Sequence, residues 1–192
     1  MSIERFTTRF TVSIFGALAL AIVLPMRGQA QSSHSHSGGG QQTGAFVKIV
    51  RESTERFRNV AVAESEGYTL QFGCVSGPDY GAMGLHYVNF PLVLDGELDP
   101  TRPEIVIYEP TARGSVRMTG ADYLVLADAW NATHDAPPEL GGQLLHYFEA
   151  PNRFGLPAFY TLHVWAWKDN PTGMFVNWHS SVSCEAFSGQ NP

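Results

Sequence analysis

The spacing of apolar positions changes at Gly67. Between residues 45 and 66 they recur at steps of three and four, with Phe46, Ile49, Val50, Phe57, Val60 and Ala61 on one face. Lys48, Arg51, Glu52, Glu55, Arg56 and Arg58 fill the other side. This spacing predicts an amphipathic helix laid over an apolar surface, with Glu52 and Arg56 placed for an i,i+4 ion pair. Asn59 is placed to cap a short second helix over 60–66, and Gly67 to stop it.

Beyond Gly67 the period drops to two. Tyr68, Leu70, Phe72 and Cys74 alternate with Thr69, Gln71 and Gly73, the signature of a strand. Further strands are predicted over 85–90, 104–109, 115–118, 122–127, 144–149 and 159–167. A hairpin turn is predicted at 110–114, and long polar loops at 95–103 and 128–142. One helical zone followed by many short strands, without β-α alternation, predicts an α+β fold with a mostly antiparallel sheet. Several strands are apolar on both faces. The sheet should therefore curl, or close into a small barrel, with the N-terminal amphipathic helix packed on it.

The ends of the chain read differently. Residues 1–30 combine Arg5 and Arg9, an apolar run over 11–25 and a small-x-small site at Gly28-Gln29-Ala30. That is the pattern of a secretory signal peptide, with an apolar run too short to span a bilayer. Residues 31–44 are rich in Gly and Ser and read as a flexible leader, in which His34 and His36 form a solvated His-x-His pair. A single domain is expected over 45–187, followed by a disordered tail at 188–192. The implied location is the periplasm or the extracellular space.

Cleavage would remove three basic residues and one acidic one from the chain's 12 and 18, leaving a formal charge of −8. An acidic surface repels phosphate backbones, so nucleic acid is a poor partner, and no basic amphipathic helix points to a membrane surface. With the leader cut, no stable membrane anchor remains. Cys74 and Cys184 are the only cysteines, and in an exported chain they read as one disulfide.

Chemistry concentrates in the aromatic run over 159–184, which holds Trp165, Trp167, Trp178, His163 and His179. Read as a strand, it puts Tyr160, Leu162, Val164 and Ala166 on a plain apolar face. Phe159, Thr161, His163, Trp165 and Trp167 then share the other. Two site readings follow. In the first, His86, Tyr87, Asn89, Tyr108, His163, Trp165 and Trp167 wall a pocket for a small apolar or aromatic molecule. In the second, His86 and His163 join Glu109 or His146 around a divalent metal, because two imidazoles and a carboxylate suit iron or zinc. Neither an H-E-x-x-H nor a G-x-S-x-G motif is present, and no phosphate-binding glycine loop occurs. Asp95, Glu97 and Asp99 lack the glycine and distal glutamate of a calcium loop.

The segments G-A-M-G-L-H-Y-V-N (81–89), P-E-I-V-I-Y-E-P (103–110), D-Y-L-V-L-A-D (122–128) and L-H-V-W-A-W-K-D-N-P-x-G-x-F-x-x-W (162–178) resemble a family of exported bacterial proteins of unknown function. The resemblance covers 45–184, carries no activity and transfers no catalytic residue. It departs at Trp178-His179-Ser180, where the family pattern has W-N-P, which makes His179 a poor candidate for a shared site. The function expected first is binding of a small apolar or aromatic ligand. The rival is a metal-dependent enzyme, and a third reading is a structural or oligomerising envelope protein.

Overall fold

The computed structural model describes residues 37–189; the expected signal peptide, His34 and His36 and the last three residues lie outside that range. The helical zone runs as α1 (Ser37–Thr54), a 3-10 turn (Glu55–Arg58) and α2 (Val60–Ser65). Asn59 caps α2 by accepting the Ala61 N–H at 3.2 Å, and Gly67 ends the zone at φ +95°. Helix begins ahead of Ala45, so residues 37–44 are helical instead of a loose leader. Gln42 rests against Gly142, a tertiary contact that local spacing does not encode. The predicted Glu52–Arg56 pair does not form. The helix tightens at Glu55, Arg56 turns to Glu66 at 2.8 Å, and Glu52 takes Lys48 at 3.3 Å.

The strands follow as β1 (Thr69–Gly77), β2 (Gly81–Val88), β3 (Ile105–Pro110), β4 (Val116–Leu126), β5 (Glu139–Leu140), β6 (Gln143–Leu144), β7 (His146–Phe148) and β8 (Phe159–Val164). Short helices α3 (Phe90–Asp95) and α4 (Ala127–Asn131) interrupt the loops. Six strands form one antiparallel sheet in the order β1-β2-β3-β4-β8-β7, curled into a half-barrel, while β5 and β6 make a separate pair. The α+β class and the curled sheet are as the pattern predicts.

Boundaries differ where the backbone departs from plain alternation. β2 stops at Val88 because Asn89-Phe90-Pro91 opens α3, with proline in the first turn where its missing N–H does no harm. The two strands predicted at 115–118 and 122–127 are one. A bulge at Thr119 carries β4 through, as Ile107 pairs with Gly120 and Tyr108 with Met118. β8 ends at Val164, after which the Trp165 N–H turns to the Met174 carbonyl and the Trp167 N–H to the Thr119 carbonyl, each at 3.0 Å.

Both sheet faces are covered. Under the helices, Tyr123, Val125, Leu162 and Val164 meet Phe46 and Val50, while Leu85, Tyr87, Val106 and Tyr108 meet Phe57 and Ala63. On the opposite, concave face Val88, Ile105, Ile107, Leu124 and Phe159 pack with Phe72, Phe90, Phe148 and Phe154. The Cys74–Cys184 disulfide, with Cα atoms 5.7 Å apart, ties the C-terminal segment to β1 across 110 residues. Closing a loop of that length contributes about 4–5 kcal/mol in the chain-entropy picture.

Glu104 is an acid in this core, 2% exposed, and its Oε2 accepts the Leu124 N–H at 2.9 Å. Burial pushes its pKa up to about 8, with the nearby Asp122 and Asp95 charges adding to the shift. A carboxyl raised in the folded state stabilises fully below its unfolded value and loses that contribution as pH climbs to about 8. Glu104→Gln should therefore match the wild type in unfolding free energy near pH ~4 and exceed it near pH ~9, by an amount on the order of 3 kcal/mol, measured by denaturant unfolding. Equal pH profiles for the two proteins would contradict the assignment.

Candidate functional site

Strands β2 and β8 are separated by β3 and β4, which in a flat sheet would hold them roughly 14 Å apart. The curl of the sheet closes that gap on the concave side. His86 of β2 and His163 of β8 meet there with ring centroids 5.5 Å apart, inclined at 66°. Asp122 of β4 is the registered partner of His163 and points to the same face. One ligand atom from each of His86, Asp122 and His163 lies within 4.8 Å of the others, and all three residues are buried.

The hydrogen bonds define which atoms are free. Asp122 Oδ2 lies 3.1 Å from His163 Nδ1, and Asp122 Oδ1 accepts the Thr161 hydroxyl at 2.5 Å. A carboxylate can only accept from an imidazole, so His163 carries its proton on Nδ1. Nδ1 of His86 lies 3.2 Å from the Gly84 carbonyl, and the same reasoning puts its proton there. Gly84 has φ +98°, and an added Cβ would collide with the Tyr108 carbonyl oxygen. Only glycine lets the strand turn its carbonyl to the histidine at that point.

Burial, helped by the neighbouring His163, lowers the His86 pKa to about 4, so its ring is neutral at physiological pH. Burial works against the Asp122 charge. The attraction of His163, the hydrogen bonds from His163 and Thr161 and the nearby His86 outweigh it and hold the carboxyl below its ordinary value.

These groups floor a cavity of about 30 Å³. Its walls are apolar: Ile105, Leu124, Phe159, Met83, and at the rim Phe72, Phe148, Phe154 and Leu156. Phe72 reaches the rim because β1 bulges, with Gln71 pairing His86 and Cys74 pairing Leu85, so that Phe72 and Gly73 both take positive φ. Asn177, from the segment after β8, completes the lining. Among the described residues, two buried side-chain polar atoms have no hydrogen-bond partner: His163 Nε2 and Asn177 Oδ1. Both residues line this cavity.

The structure brings together only two of the residues singled out from sequence for the site. Trp165 is fully buried behind His163, ring centroids 5.5 Å apart, with its indole N–H bonded to the Val176 carbonyl at 2.6 Å. Trp167 crosses to the helix side, because pairing stops at Val164, and donates to Thr54 Oγ1 at 3.0 Å. Tyr87 and Tyr108 stack edge-on beneath the helices, the Tyr108 hydroxyl donating to the Phe57 carbonyl at 2.6 Å. Asn89 donates to the Glu66 carbonyl at 3.1 Å. Of the expected metal ligands, Glu109 is held by Lys168 at 2.7 Å and by Arg117, and His146 is exposed on the edge strand. Neither belongs to the cluster. His179 spends both ring nitrogens on backbone, Nε2 on the Asp169 carbonyl and Nδ1 on the Ser181 N–H, each at 3.1 Å.

Asp122 and Asn177 are the site residues that sequence reading misses, while Thr161 lies on the expected face as the donor to Asp122. Asp122 carries a signal: once 116–126 is read as one strand, it is a lone acid in the middle of an apolar run. Such a residue demands a buried partner.

Asp122→Ala strands the His163 and Thr161 donors and should destabilise by about 3 kcal/mol. With His163→Ala added, the double variant should lose less than the sum of the two single losses, measured by denaturant unfolding. Additive losses would mean that the pair is not coupled. No family model matches the chain, and neither a curated protein nor a solved structure shows significant similarity to it.

Proposed function

We propose that this is an exported protein that holds one divalent transition-metal ion between His86 and His163, with Asp122 orienting His163 from behind. One observation carries the reading: His163 Nε2 is a buried lone pair without a partner, facing a cavity whose floor also presents His86. Both histidines direct Nδ1 to a fixed acceptor, one a carboxylate and one a backbone carbonyl. Metal-bound histidines are held in this way, which fixes the tautomer and raises the basicity of the other nitrogen. Imidazole donors favour zinc, iron, cobalt, nickel or copper over calcium and magnesium.

The size of the cavity bears on the rival. About 30 Å³ suits an ion with a water molecule. An apolar cavity that binds benzene measures about 150 Å³. A small aromatic ligand, the first expectation from sequence, would need a larger space than this cavity offers. Export is supported by the disulfide and by the N-terminal pattern of the sequence. Among the described residues no helix is long and apolar enough to cross a membrane.

The Asp122–His163 pair supports a second reading, in which His163 Nε2 acts as a general base without metal. Elemental analysis separates the two. Protein purified without a His tag, with His34 and His36 changed to Ser to silence the leader, should carry about one equivalent of a transition metal. Chelation should remove it, re-addition should raise Tm by several degrees, and His86→Ala or His163→Ala should abolish both effects. Protein that carries no metal, and whose Tm does not respond to zinc, cobalt, nickel, manganese or ferrous iron, would overturn the metal reading.

A further inference from the structure

We infer that Asn177 is the third protein ligand of this ion, through its side-chain oxygen, and that Asp122 stays outside the coordination sphere. The inference rests on the metal reading above and adds to it the identity of the oxygen donor.

Both oxygens of Asp122 already have partners: Oδ1 takes the Thr161 hydroxyl and Oδ2 takes His163 Nδ1–H. Each oxygen keeps a further lone pair, but both are already oriented by these contacts, and a metal on Asp122 would compete with His163 and Thr161 for them. Asn177 Oδ1 has no such competitor. It is one of the two partnerless buried polar atoms among the described residues, and His163 Nε2 is the other. The two atoms cannot satisfy one another. With the His163 proton on Nδ1, its Nε2 is an acceptor, and an amide oxygen is always an acceptor. Two acceptors lining one small cavity call for an occupant that is a Lewis acid or that donates twice. An unpartnered buried acceptor is costly, so a resident occupant is the ordinary resolution.

The resulting donor set is two imidazole nitrogens and one amide oxygen. Three protein ligands leave a fourth position for water or a small monodentate donor, as catalytic zinc sites do. Phe72 and Phe154, whose rings meet edge-on at 5.2 Å, line the same cavity. Asn177 lies in the segment that follows β8 and is tied to the sheet on both sides. The Trp165 indole N–H holds the Val176 carbonyl, and Asn170 Nδ2 donates to the Trp178 carbonyl at 2.9 Å. The amide is therefore presented from an anchored stretch of backbone.

Zinc competition titrations and the visible spectrum of the cobalt(II) form test the assignment in the full chain with His34 and His36 silenced. Asn177→Ala should weaken zinc binding by at least about tenfold and shift the cobalt bands. Asn177→Asp, which keeps the oxygen and adds a charge, should bind at least as tightly as the wild type. Asp122→Asn, which removes the carboxylate that orients His163, should weaken zinc binding yet leave the cobalt band positions unchanged at saturation, because the donor set stays the same. Wild-type zinc affinity and an unchanged cobalt spectrum in Asn177→Ala, with binding lost in His163→Ala, would overturn the role of Asn177 and leave the histidine site standing. Cobalt bands that move in saturated Asp122→Asn and stay in place in Asn177→Ala would make Asp122 the ligand instead. If the wild type binds neither ion, both the inference and the reading beneath it fail.

Discussion

The pairing of β4 with β8 is the constraint on which this molecule turns. Its register sets Asp122 opposite His163 and Tyr123 opposite Leu162, so one ladder assigns residues to both sides of the sheet at once. A slip of one residue would exchange the faces, burying the acid and the histidine under α1 and turning Tyr123 and Leu162 into the concave side. The buried carboxylate–imidazole contact penalises such a slip, because each group would lose the partner that makes its burial tolerable. The same contact thus defines the fold and prepares the site.

Preparation here means the removal of freedom. Thr161 holds Asp122, Asp122 holds His163, Trp165 backs the His163 ring, and the Gly84 carbonyl holds His86. The chain of contacts runs through strands, the stiffest part of the structure, and ends at an imidazole nitrogen with nothing to bond. A site placed on rigid elements keeps its geometry without an occupant, which suits tight capture of a small ion better than adaptation to a bulky ligand. The aromatic residues around the cavity make its surroundings apolar, which would strengthen the electrostatic contact of an ion held there as proposed.

Much of this is legible in the sequence, and the parts that are not share a cause. The switch of period at Gly67, the cap at Asn59, the α+β class, the curled sheet and the disulfide all follow from local spacing and composition. The disulfide near them hints that His86 and His163 meet, but their meeting depends on how far the sheet curls, which no local spacing encodes. Trp167 falls on the wrong face when strand alternation is extended three residues too far. The deviation arises from hydrogen bonds to Met174 and Thr119, both distant in sequence or loop-borne. Residue type draws Tyr87 and Tyr108 into the pocket, although alternation already puts Tyr87 on the face opposite His86. Asp122 escapes notice because a bulge at Thr119 makes one long strand read as two short ones. Asn177 has no signal, for an asparagine in a loop is ordinary until its oxygen is seen to lack a partner.

The central claim is that folding alone leaves both imidazoles with the proton on Nδ1 and a bare lone pair on Nε2. Nitrogen-15 NMR of histidine-labelled, metal-free protein at mildly alkaline pH reads this directly, with His86→Gln and His163→Gln spectra assigning the signals. Both rings should show a pyrrole-type Nδ1 and a pyridine-type Nε2. A proton on Nε2 of either ring, or a His163 ring exchanging between tautomers, would contradict the claim.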